Sequence, residues 1–169
     1  MQAGYLCFNP TKLLPNTLIL SSLFCYSKKR LFEEISENAA TLLKTAPTKL
    51  IKALILREQY GTTVFFNGIA MPHAVIPEID NTLAVLSILD APVQFNSIDA
   101  DPQSIDIAYT LFISPNDDYS DIEKLLQNLT DTFSNQDLLN SLRLARNEKS
   151  KITILLKQID AALTNKTTV

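Results

Sequence analysis

The spacing of apolar residues changes character along the chain, and each change marks a new kind of element. Thr17 to Leu20 (TLIL) is a short apolar run of the strand type. From Ser27, a good N-cap residue, Leu31, Ile35, Ala39 and Leu42/Leu43 recur at helical spacing, with Phe32 broadening the stripe. Thr45 and Ala46 lead into Pro47, which suits the first turn of a second helix. In that helix Leu50, Ile51, Leu54 and Ile55 are expected to face inward up to Tyr60, and Gly61 to end it. Thr62 to Phe66 then reads as a strand, Asn67-Gly68 as a turn, and Ile69 to Met71 as a return strand before Pro72. Leu83–Leu89 (LAVLSIL) and Ile105–Ile113 (IDIAYTLFI) are the strongest strand signals. Between them Pro92, Asn96, Asp99, Asp101 and Pro102 signal turns, with Val93 to Phe95 as a short edge strand. After Pro115 the spacing is helical throughout. The stripes are Ile122, Leu125, Leu126 and Leu129, then Leu138, Leu139 and Leu142, then Ile152, Leu155, Leu156 and Ile159.

Helices before and after a strand-rich middle predict an α/β fold, with a mixed central β-sheet flanked by helices on both faces. A length of 169 residues fits one domain. The expected boundaries are a loose N-terminal extension over 1–12, the domain over 13–163, and a polar tail over 164–169. Leu13 to Cys25 (LLPNTLILSSLFC) is apolar enough to ask whether it is a targeting segment. Pro15 and Asn16 interrupt it, and bulky Phe24 stands where a processing site needs a small residue. It is read as strand and loop, with neither a leader nor a membrane span.

Composition narrows the chemistry mainly by exclusion. A net charge of −3 offers no basic excess for nucleic acid, and Lys28-Lys29-Arg30, the only tight basic run, is read as a solvated helix end. Three glycines make no phosphate-cradling Gly-rich loop, so nucleotide cofactors gain no support. Cys7 and Cys25 form no disulfide framework and fit free thiols in a reducing cytoplasm. A single histidine without a Cys/His cluster argues against a metal site.

That histidine, His73, is the residue best suited to do chemistry. Pro72 fixes its own φ and holds Met71 extended, so the backbone delivers the imidazole in a defined direction at a strand end. Small or turn-forming neighbours (Asn67, Gly68, Ala70, Ala74) leave the ring reachable from outside. A neutral imidazole is nucleophilic toward phosphorus through its unprotonated nitrogen. In an arbitrary soluble domain, however, a lone histidine is more often a residue without such a role.

The run Arg57-Glu58-Gln59-Tyr60-Gly61-Thr62-Thr63, followed by Asn67-Gly68-Ile69-Ala70-Met71-Pro72-His73-Ala74, resembles the signature of the fructose/mannitol-type IIA domains of the phosphotransferase system, most of all their nitrogen-regulatory branch. Ala91-Pro92-Val93-Gln94-Phe95-Asn96, Asp101-Pro102 and Ile113-Ser114-Pro115 match later landmarks in order, and Ser27-Lys28-Lys29-Arg30 looks like the opening of the first helix. The likeness covers about residues 13 to 160 and implies the mannitol-type IIA fold. It implies that His73 is phosphorylated by an HPr-like phosphocarrier and that Arg57 is the active-site arginine, a role its two-pronged guanidinium suits. Thr62 and Thr63 could donate hydroxyl hydrogen bonds to phosphoryl oxygens; as ordinary strand residues or, for Arg57, as a helix-end cation, these positions also have bland readings. No cofactor or metal is implied.

Two departures from the family pattern stand out. Val64-Phe65-Phe66 replaces a stretch that usually contains glycine, and a second histidine expected near the start of the helix after Pro115 is absent, with Asp121 in its place ahead of Ile122. A carboxylate there would repel a phosphoryl dianion, less so when screened. Three readings stay open. The first is a regulatory IIA protein in the cytoplasm whose phosphorylation alters binding to a transporter or sensor kinase. The second is a fructose- or mannitol-specific IIA component that passes the group to a IIB domain. The third is an interaction module that no longer accepts it.

Overall fold

The computed structural model describes residues 4–7, 14–65, 68–95 and 103–167. Its strands are β1 (Tyr5–Cys7), β2 (Thr17–Leu23), β3 (Val64–Phe65), β4 (Ile69–Ala70), β5 (His73–Val75), β6 (Leu83–Phe95) and β7 (Gln103–Ile113). Its helices are α1 (Lys28–Leu43), α2 (Pro47–Gln59), α3 (Tyr119–Phe133), α4 (Gln136–Leu144) and α5 (Lys149–Thr167). The strands form one sheet in the order β1-β2-β6-β7-β4-β3, with β5 also on β7. Pairing is mixed. β2 runs parallel to β6, β6 antiparallel to β7, and β4 and β5 parallel to β7.

Side chains alternate across the sheet, so each long strand feeds two cores. Leu86 and Ile88 of β6 and Ile107, Tyr109 and Leu111 of β7 pack with Leu129, Phe133, Leu139, Leu142, Ile152 and Leu156 of the last three helices. Leu83 and Val85, with Ala108 and Phe112, pack with Leu31, Phe32, Ile35, Leu50 and Leu54 of α1 and α2 on the opposite face. The result is a mixed sheet with helices on both faces.

The helix starts follow their caps. Ser27 accepts from the Arg30 N–H at 3.1 Å, and Asn135 accepts from the N–H groups of Asp137 and Leu138. Pro47 opens α2 where a missing N–H costs nothing.

Several expectations are corrected. Tyr5–Cys7, inside the segment read as a loose start, pairs antiparallel with β2, and Cys7 is buried in the core. The stretch around Pro92 does not break the strand, because a register shift between Ile88 and Val93 lets β6 run on to Phe95. Val93–Phe95 is therefore part of β6. The turn signals at Asn67 and 96–102 lie outside the described residues. Ile55 and Leu42, counted on apolar stripes, are exposed. The expected tail from 164 continues as helix to Thr167. Lys28, assigned to a solvated helix end, turns inward over the Phe95 ring, 5.2 Å from its centroid.

Candidate functional site

The edge of β7 is where the site is made. β4 pairs with Ile107 and Ala108, β5 with Leu111 to Ile113, and Met71-Pro72 interrupts the line between them. Proline has no N–H to give the ladder, so the break falls there. The Pro72 carbonyl still accepts the Leu111 N–H at 2.9 Å, which fixes the point from which the next residue departs. That residue is His73, which opens β5 instead of ending a strand as the sequence predicted.

The His73 ring is half-buried, with Nδ1 2.9 Å from the Met71 carbonyl oxygen. A carbonyl can only accept, so in the neutral ring Nδ1 carries the hydrogen and Nε2 keeps its lone pair. Burial lowers the ring's pKa; the bond to Met71 raises it, Arg57 lowers it and Glu58 raises it, and the net direction is downward. The ring thus stays neutral, and its Nε2 nucleophilic, to a lower pH than a free histidine.

Arg57 lies in the last turn of α2, where its cation also suits the helix C-terminus. Its Nη1 donates to the Gly61 carbonyl at 3.0 Å, engaging one of the guanidinium's five N–H donors. His73 and Arg57 are therefore brought into one electrostatic neighbourhood from separate elements.

The two threonines are placed differently. Thr62 is exposed, and its Oγ1 accepts from the Val64 N–H at 3.1 Å, a bond that uses the oxygen and not the hydroxyl hydrogen. Thr63 is buried, and its hydroxyl donates to Glu58 Oε2 at 2.7 Å. Asp121 is exposed in the first turn of α3, next to the N-cap Asp118, where acidic groups are favoured by the helix dipole. Of the unusual bulky stretch, Val64 and Phe65 pack against the two cores on opposite sides of the sheet, and Phe66 lies outside the described residues.

Glu58 is the site residue that sequence reasoning missed. It was visible only as the neighbour of Arg57, and nothing in helical periodicity ties it to Thr63 five positions later. Among the described residues no cluster of three His, Cys, Asp or Glu could hold a metal, and no helix is long and apolar enough to cross a membrane. Cys7 and Cys25 are free, buried thiols, the latter pushed by burial up to about 11.

Residues 12–158 match the family described as "Phosphoenolpyruvate-dependent sugar phosphotransferase system, EIIA 2". The chain is 29% identical over 145 residues to a nitrogen regulatory protein of Bradyrhizobium diazoefficiens, covering 86% of this chain and 93% of that one. It is 31% identical over 138 residues to a nitrogen regulatory protein of Escherichia coli K12, covering 80% and 82% respectively. The fold matches the crystal structure of the nitrogen regulatory protein IIA-Ntr from Neisseria meningitidis, with a TM-score of 0.69, 24% identity, and coverage of 80% of this chain and 91% of that one. With the family matched along most of its length and the sheet, helices and histidine in the arrangement above, the chain belongs to the EIIA type-2 family of the phosphotransferase system.

Proposed function

We propose that this chain is a regulatory IIA protein that accepts a phosphoryl group on Nε2 of His73 from an HPr-like phosphocarrier. The observation that carries the reading is the Nδ1 contact to the Met71 carbonyl, which leaves Nε2 with its lone pair. In the transfer the Nε2 lone pair forms the new N–P bond. The donor's bond to phosphorus breaks, and its electron pair stays with the donor. The Nδ1 hydrogen stays on the ring, still donated to the Met71 carbonyl, so the phosphorylated ring is cationic. Arg57 stabilises the phosphoryl oxygens, and Thr62 supplies a hydroxyl donor at the rim. Catalysis is positioning and charge stabilisation, without a cofactor.

The resemblance to nitrogen regulatory proteins supports signalling over sugar uptake. In this reading the phosphorylation state changes binding to a transporter or sensor kinase in the cytoplasm. The test is to incubate the protein with enzyme I, a phosphocarrier and phosphoenolpyruvate, then weigh it intact. A gain of one acid-labile phosphoryl group, lost in His73→Ala, is expected. No gain alongside a working family control would reduce the protein to an interaction module, and drainage of the group to a sugar IIB domain would make it an uptake component.

A further inference from the structure

The carboxylate of Glu58 is the least explained charged group at the site. Its side chain is 6% exposed, yet its only cationic neighbour among the described ion pairs, Lys28, stands 4.0 Å away. What engages it closely is Thr63: Oε1 accepts the backbone N–H at 3.2 Å, and Oε2 accepts the hydroxyl at 2.7 Å. One residue thus gives both of its donors to one carboxylate. Beyond Thr63 the chain of contacts continues to the ring. The Thr63 carbonyl accepts the Met71 N–H at 2.9 Å, and the Met71 carbonyl faces His73 Nδ1 at 2.9 Å.

We propose that Glu58 is a positioning residue for His73, latching Thr63 through both carboxylate oxygens so that the Met71 peptide is held where its carbonyl fixes the imidazole. This rests on the reading of His73 as the phosphoacceptor.

The need for a latch follows from the ladder beside it. Among the described residues β3 and β4 pair at two positions, Val64↔Ala70 and Phe65↔Ile69. The Thr63–Met71 bond is the next step outward, past the end of that short ladder, where pairing frays unless something holds it. Glu58, anchored on the last turn of α2, supplies that hold. Residue choice agrees. A carboxylate is acceptor-only and matches two donors, whereas an amide would offer one acceptor and an unwanted donor. The same helix end therefore does two jobs, with the Arg57 charge felt at the ring and Glu58 securing the peptide that bonds it. Thr63 belongs to the ring's support and not to the phosphoryl shell.

The chain contains one histidine, so ring-nitrogen NMR of unphosphorylated protein reads His73 without assignment ambiguity. Thr63→Val removes the hydroxyl at nearly constant volume, Thr63→Ser restores it, and Glu58→Gln removes one acceptor. The expected result is a predominant Nδ1–H tautomer in the wild type and in Thr63→Ser. Thr63→Val and Glu58→Gln should give a mixture of tautomers, with phosphoryl labelling slowed by about tenfold to a hundredfold. Should Glu58→Gln fail to fold, the Thr63→Val and Thr63→Ser pair carries the comparison. Wild-type tautomer populations in Thr63→Val with labelling within about twofold would overturn the latch. If the tautomer shifts as expected but even the wild type takes up no phosphoryl group, the latch stands and the phosphoacceptor reading falls.

Discussion

The Arg57 guanidinium donates through Nη1 to the carbonyl oxygen of Gly61, four residues on, at 3.0 Å. That bond folds the end of α2 back on the turn that follows and fixes the plane of a permanently charged group close enough to lower the pKa of His73. A planar fork held in this way can meet two phosphoryl oxygens without reorganising. Arg57→Ala is expected to slow phosphoryl labelling by about 10²- to 10³-fold. Arg57→Lys, which keeps the charge and loses the fork, should fall between that variant and the wild type. Equal rates for Arg57→Lys and wild type would show that charge alone suffices.

Because burial leads a net lowering of the His73 pKa, the folded protein binds its proton less readily than the unfolded chain. Between the folded pKa and the ordinary value of about 6.5 the unfolded state carries more proton, so stability rises with pH across that window and levels off above it. His73→Gln should remove this slope. The check is urea unfolding of both proteins at a series of pH values from below the window to above it; parallel curves would contradict the shift. The pH profile of labelling should likewise keep its acid-side half-point below about 6.5.

Asp121 sits exposed at the start of α3. Solvent screening at such a position limits its repulsion of a phosphoryl group. Asp121→Asn is therefore expected to lengthen the lifetime of the phosphohistidine by less than about threefold, with the difference vanishing at high salt. A larger, salt-independent effect would place this carboxylate in direct contact with the phosphoryl group.

Gly68 opens the segment that carries the acceptor. Its φ of +89° lies in the region that favours glycine, and an added Cβ would stand 3.0 Å from Arg143 Nη2 and 3.1 Å from Asp106 Oδ1. Its carbonyl meanwhile accepts N–H groups from Asp106 at 2.8 Å and Ile107 at 3.2 Å, tying the turn to β7. Gly68→Ala should lower stability by about 1–2 kcal/mol, seen as a drop in urea midpoint at unchanged slope.

Local signals in the chain were enough to place most elements. Ser27 and Pro47 mark the starts of α1 and α2 because capping and proline chemistry act within a few residues. The apolar runs Leu83–Leu89 and Ile105–Ile113 announced the two central strands, because a strand covered by helices on both faces buries side chains on both sides. The motif around the lone histidine pointed to the family and, through it, to the candidate acceptor, with Pro72 adding little by itself. Period alone misjudged Ile55 and Leu42, since a stripe shows which residues share a side and not how far the covering layer reaches. It also missed the continuity of β6 past Pro92, because a bulge is accommodated by the partner strand and leaves no local signature. What only the tertiary structure decided is how the site is joined. Glu58 on α2, Thr63 before β3 and Met71 before β5 meet through hydrogen bonds whose partners the chain order separates, and the tautomer of His73 depends on where those bonds place one carbonyl. Residue identity set which groups could react; the fold set which ring nitrogen meets the Met71 carbonyl and which keeps its lone pair.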